Sequence, residues 1–155
     1  GPGLFAKNIA GSAKRMIATD YSEGMIAQAK KGRYPSNLIF EVADATNLPY
    51  EDDSFDVVLI ANALHIIPEP ERALSEIDRV LKDKGILIAP TFVNHQGGAV
   101  SRLWSKMLKI GGVRFEHEWS KNDYEDFLKK NGWKVVNSKS LGARITMDYV
   151  ECVRS

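Results

Sequence analysis

Sulfhydryl chemistry is almost absent from this chain: Cys152 is its one cysteine, which excludes an internal disulfide and suits a reducing compartment. Long apolar runs are missing as well. None approaches the roughly 20 residues that a membrane-crossing helix requires, and the amino terminus carries no stretch that reads as a secretion signal. A cytoplasmic protein without a membrane span is therefore expected. Charge of one sign is lacking too, because Lys plus Arg number 21 against 20 for Asp plus Glu, a net charge of +1. That balance creates no global field to attract nucleic acid or an anionic membrane, so the expected partner is a small molecule. There is no internal repeat and no low-complexity segment, and 155 residues suffice for one domain that buries about two thirds of its unfolded surface.

What is present is an alternation of short apolar runs with longer amphipathic stretches, the pattern of strands joined by crossover helices. Strands are predicted over residues 15–19, 38–42, 55–60 and 86–89, and helices over 22–31 and 70–81. Ser22 is placed to cap the first of these helices and Gly32 to stop it. In the second, Ala73, Leu74, Ile77, Val80 and Leu81 recur at helical spacing, and residues 82–85 are read as its end. Past Pro90 the composition changes. Residues 94–119 read as an inserted lid with a helix-like segment over 100–110, Ser120 caps a last helix, and residues 134–138 and 147–154 read as a closing hairpin. The fold expected is α/β, a doubly wound, Rossmann-like, mainly parallel sheet with an antiparallel C-terminal strand.

The opening is out of order, because Gly1-Pro2-Gly3 precedes a helix-like 4–10 with no strand to feed the glycine turn. The expectation is that the first strand of the domain is missing from the sequence; an equally economical reading makes Gly1-Pro2 the remnant of a cleaved tag. Gly1 and Gly3 at a helix mouth, followed by Asp20 at the end of the next strand, suit an adenosine-type ligand: glycines admit a ligand to the backbone, and a carboxylate can accept from both ribose hydroxyls. Alone, this pattern fits an NAD-binding oxidoreductase as well as a methyltransferase.

Five blocks in register separate the two. They are Ala18-Thr19-Asp20-Tyr21-Ser22-Glu23-Gly24-Met25, Val42-Ala43-Asp44-Ala45-Thr46-Asn47-Leu48-Pro49-Tyr50, Asp53-Ser54-Phe55-Asp56-Val57-Val58, Ala63-Leu64-His65 and Leu81-Lys82-Asp83-Lys84-Gly85. In these, over about residues 1–93, the chain resembles class I S-adenosylmethionine-dependent methyltransferases of the ubiquinone and menaquinone biosynthesis group. The resemblance implies S-adenosylmethionine as cofactor and a small-molecule methyl acceptor, with jobs for particular residues. Asp20 would hold the ribose, Tyr21 and Met25 would pack on the adenine face, and Asp44 would accept from the adenine amino group while the Ala45 N–H donates to a ring nitrogen. Ala61 and Asn62 would hold the methionine part. The family's Pro-Gly-Gly before its fifth strand is Asp83-Lys84-Gly85 here, and the acidic residue that family members place ahead of the glycines has no counterpart in the sequence. A related domain that binds without catalysing is the alternative kept beside the oxidoreductase.

Methyl transfer is mainly a matter of alignment, and a general base is needed only for a hydroxyl or a protonated amine. His65 and His117 are the candidate bases. His65 is read first as a packed or hydrogen-bonded residue; His117 lies beside Trp119 in the stretch that would cover the acceptor. Trp104, Trp119 and Tyr149 are candidate acceptor contacts, with Trp104 read first as part of the packed face of the lid and Tyr149 at least as readable as packing in the sheet. The spacing of His65, His95 and His117 matches no ligand pattern, so no metal is expected.

Overall fold

A computed structural model describes residues 1–93, 116–142 and 146–155. The predicted lid, its helix-like segment and Trp104 lie outside the described residues, apart from positions 116–119. The structure divides into two compact units, Gly1–Pro49 and Tyr50–Ser155.

In the first unit, α1 (Leu4–Ile9) runs into a 3-10 turn (Ala10–Ser12), followed by β1 (Met16–Asp20), α2 (Glu23–Ala29) and β2 (Leu38–Val42). Ser22 caps α2 as predicted, its hydroxyl accepting from the Met25 N–H at 3.3 Å, and Gly32 follows the helix at φ +78°. β1 and β2 pair in parallel from Met16 opposite Leu38 to Asp20 opposite Val42. Their core is Ala10, Ile26, Ala29, Leu38 and Phe40, with Ala6, Met16 and Ala18 against it. Gly3 is obligatory here. Its φ is +77°, and a Cβ would lie 2.8 Å from both the Ala29 methyl and the Phe40 ring.

The second unit holds β3 (Phe55–Leu59), a 3-10 turn (Leu64–Ile66), α3 (Pro70–Val80), β4 (Leu81–Ile88), β5 (Thr91–Val93), α4 (Lys121–Lys130), β6 (Trp133–Gly142) and β7 (Thr146–Arg154). β3 and β4 are parallel. β7 pairs antiparallel with β6 along one edge, giving the expected closing hairpin, and with β4 and then β5 along the other. β4 and β5 thus behave as one strand broken at Pro90, which cannot donate to a ladder. Trp133, Tyr124, Leu128, Leu74, Ile77 and Val150 are among its fully buried side chains.

The chain enters β4 earlier than the helical spacing predicts. Leu81 continues the apolar period of α3, yet its backbone is already extended at φ −82°, ψ 135°. Residues 82–85 are not a helix end but a bulge, since Phe55 faces Leu81 while Val57 faces Ile86. Gly85 permits it: a Cβ there would stand 2.5 Å from Leu81 Cγ. β5, three residues beside a proline, is the element the sequence pattern did not show.

α4 opens on a complete capping box. The Asp123 N–H donates to Ser120 Oγ and the Ser120 N–H to the Asp123 carboxylate, both at 3.3 Å. Ser120→Ala is expected to lower stability by about 1 kcal/mol, read as a lower urea midpoint at unchanged slope, with Ser120→Thr close to wild type.

Candidate functional site

In the first unit, parallel register brings the carboxyl ends of β1 and β2 side by side, and the Ala43 N–H donates to the Asp20 carbonyl at 3.2 Å. Asp20 and Asp44 therefore leave neighbouring strands at the same end of the pair, where open α/β sheets receive ligands. Asp20 Oδ1 accepts from the Ser22 N–H at 2.8 Å, and Oδ2 is paired with the Gly1 amino group. Asp44 Oδ1 accepts from both the N–H and the hydroxyl of Thr46 at 2.8 Å, and its carbonyl accepts from the Asn47 N–H at 3.1 Å. This tight turn fixes the backbone of Ala45. Tyr21 is 78% exposed and Met25 45% exposed, one next in sequence to Asp20 and the other in the first turn of α2. Gly1 is exposed, with open space around its Cβ position, so no packing reason requires glycine there.

In the second unit, polar contacts converge on the break between β4 and β5. The Asn62 N–H donates to the Pro90 carbonyl at 2.8 Å, and the Ile60 N–H to the Ile88 carbonyl at 2.9 Å, so the chain carries the β3 line onward through Ala61. Asn62 then turns at φ +50°, a left-handed conformation that asparagine tolerates better than most residues. The Tyr124 hydroxyl donates to the Ala89 carbonyl at 2.8 Å. His65, 4% exposed, has its Nδ1 3.0 Å from Thr91 Oγ1. Burial pushes His65 down to about pH 4, from an ordinary 6.5. His117 is tied to His65 through the backbone, since the N–H groups of Glu116 and His117 both donate to the His65 carbonyl, at 3.0 and 3.1 Å. The His117 ring stacks on Trp119, centroids 5.2 Å apart and planes 4° apart.

Tyr149 stands differently. Alternation along β7 turns it away from Asp148, and its hydroxyl donates to Glu151 at 2.6 Å, which with burial raises its pKa. Asp148 and Thr91 were not singled out from the sequence. Asp148 is 0% exposed and lies directly opposite Thr91, 1% exposed, across the β5–β7 ladder. Its Oδ1 accepts from Ser140 Oγ at 3.0 Å and lies 3.5 Å from Lys121 Nζ. The available signal was parity: Asp148 shares its face with the buried Val150 and Cys152, and a charge on the core face of a strand calls for a reason. Cys152 is buried, with its thiol pushed up to about 12 by burial and by Glu125. No helix of the described residues is long and apolar enough to cross a membrane.

Comparison with known proteins adds a family to this geometry. Residues 1–89 match the family described as a methyltransferase domain. A demethylmenaquinone methyltransferase of Clavibacter sepedonicus is 38% identical over 93 residues, 59% of this chain and 38% of that protein. The ubiquinone/menaquinone biosynthesis C-methyltransferase UbiE of Campylobacter jejuni is 34% identical over 140 residues, 84% of this chain and 58% of that protein. The chain thus spans about two fifths to three fifths of the length of these relatives. Among solved structures, a SAM-dependent methyltransferase from Methanosarcina mazei superposes with a TM-score of 0.78 at 18% identity, over 99% of this chain and 89% of that one. That likeness shows the α/β, Rossmann-like fold expected from the sequence.

The buried imidazole of His65 makes a pH prediction. In the unfolded chain His65 takes up its proton near pH 6.5; in the fold it does so only near pH 4. Between these values the unfolded state binds more protons, so stability is full above about 6.5 and falls as pH drops toward 4. Urea midpoints across this window should fall less steeply for His65→Asn than for wild type; parallel curves would contradict a neutral, buried His65.

Proposed function

The chain belongs to the methyltransferase domain family, and from that premise we propose that it is an S-adenosylmethionine-dependent methyltransferase acting on a small-molecule acceptor. The observation that carries this reading is the placement of Asp20 and Asp44 at adjacent carboxyl ends of a parallel strand pair, bridged by the Ala43 N–H. A ribose offers two hydroxyl donors and adenine offers an amino donor beside a ring nitrogen acceptor. Two carboxylates and the Ala45 N–H match that set. Asp20 retains lone pairs beyond those used by Ser22 and Gly1, because a carboxylate offers about four acceptor sites. Exposed Tyr21 and Met25 supply apolar area for the adenine faces. Gly3 keeps its place through backbone conformation and close packing, which supports the turn rather than a direct contact.

When bound, the cofactor supplies an activated methyl group, so the protein's part is to align an acceptor and, where the acceptor is protic, to receive a proton. Ala61 and Asn62 are proposed to hold the methionine part, a role supported by the buried Asn62 Oδ1, which has no hydrogen-bond partner among the described residues. Of the two histidines, His117 is the better base: His65 is engaged by Thr91 and held well below its ordinary pKa. The relatives are named as a demethylmenaquinone methyltransferase and a ubiquinone/menaquinone biosynthesis C-methyltransferase, which supports a small organic acceptor here. Residues 94–119 are proposed as the acceptor-covering lid of a single methyltransferase domain.

Asp20→Ala is expected to weaken S-adenosylhomocysteine binding by about 10- to 100-fold, the loss of one or two hydrogen bonds to a charged group, while the far-ultraviolet spectrum and melting temperature stay near wild type. Calorimetry that finds unchanged affinity would refute the ribose assignment.

A further inference from the structure

The side chains around His117 carry the reading one step further, to the chemical class of the acceptor. Trp119 is already engaged by protein rings: besides His117, it stacks against Phe127 with centroids 4.9 Å and planes 23° apart, and abuts Tyr124 at 5.3 Å. Tyr124 is fixed in turn by its bond to the Ala89 carbonyl. The backbone of His117 is pinned by the His65 carbonyl. The imidazole is thus held at both its backbone and its ring face, and its Nε2 is buried without a hydrogen-bond partner among the described residues. Asn62 Oδ1 and Asp148 Oδ2 are in the same condition. Both of these oxygens only accept. Buried polar atoms are nearly always satisfied; the fourth such atom among the described residues, Trp133 Nε1, is a donor, whereas the two oxygens and, with Nδ1 protonated, Nε2 of His117 each call for one.

We propose that the acceptor is protic, a hydroxyl or an ammonium group that yields its proton to Nε2 of His117, and that Trp119 is the positioning residue that fixes this nitrogen. The inference rests on the methyltransferase reading. With a proton on Nδ1, Nε2 presents its lone pair. In the transfer, the acceptor's O–H or N–H proton passes to Nε2 and the freed lone pair bonds to the methyl carbon. The carbon–sulfur bond breaks with its electrons going to sulfur, S-adenosylhomocysteine leaves, and His117 returns the proton to solvent. Trp119 need not touch the acceptor, since three neighbouring rings account for its position.

The test uses the whole chain with radiolabelled S-adenosylmethionine and a fixed panel: a catechol, a simple phenol, a primary amine and a naphthoquinol whose free ring carbon reports carbon transfer. Products are located by mass spectrometry, S-adenosylhomocysteine binding is measured on the same samples, and carbethoxylation of His117 by diethyl pyrocarbonate is followed in the wild type, Trp119→Leu and Trp119→Phe. The expected result is methylation at oxygen or nitrogen. In Trp119→Leu, kcat should fall at least about tenfold with KM for the cofactor little changed, as expected for a misplaced group, and His117 should be carbethoxylated faster. Trp119→Phe, which keeps a stacking ring, should stay near wild type in both. Carbon-only transfer, or none to the panel while S-adenosylhomocysteine binds, overturns this inference alone. Equal kinetics and equal labelling in all three proteins remove Trp119 from the role. Absence of S-adenosylhomocysteine binding overturns the methyltransferase reading and this inference with it.

Discussion

The register of one short parallel ladder is the constraint on which the ligand reading depends. Asp20 lies opposite Val42, so the acidic residue that ends β1 and the one that follows β2 emerge at the same end of the pair. A slip of one residue would turn Asp20 to the other face and break the correspondence. The ladder is held in place by ordinary packing: Leu38 and Phe40 are buried against Ile26 and Ala29, and Gly3 lets the start of α1 close onto the same cluster. Asn37 reinforces it by donating to the carbonyls of Ala10 and Ala13, both at 2.7 Å. The placement of the two carboxylates at one end of the pair thus follows from the hydrophobic pattern of two five-residue strands.

The second unit depends on the interruption of its sheet at Pro90. Pro90 cannot donate to β7, and the carbonyls on either side of the break are taken up by Tyr124 and Asn62. Thr91, the first residue after the break, meets His65. One interruption therefore orients a tyrosine, an asparagine and a histidine, and the His65 carbonyl carries that order on to His117. The cost is a group of buried polar atoms in a small unit, which a purely structural sheet would avoid.

Much of this was legible because the signals are local. Ser22, Gly32 and Ser120 mark helix ends through side-chain and backbone chemistry that needs no partner elsewhere in the chain, and residues 38–42 form the strand that their apolar character predicts. Asp20 and Asp44 were singled out through motif resemblance, and strand register explains why they emerge at the same end of the pair. What escaped was non-local. Leu81 satisfies the helical period and the sheet alike, and only its pairing with Phe55 decides for the sheet. Thr91 and Asp148 matter because the antiparallel ladder sets them opposite each other, 57 positions apart in sequence, which no window of neighbouring residues reveals. The contacts of Trp119 with Tyr124 and Phe127 on the following helix likewise come from the fold and not from a motif.

The central claim is that the ends of β1 and β2 form one adenosine site. Its most direct measurement is an amide chemical-shift titration of the nitrogen-labelled protein with S-adenosylhomocysteine. The account predicts saturable shifts concentrated at Tyr21, Ser22, Met25 and Ala45, with a common dissociation constant. Saturable binding that leaves those four amides unmoved would contradict it.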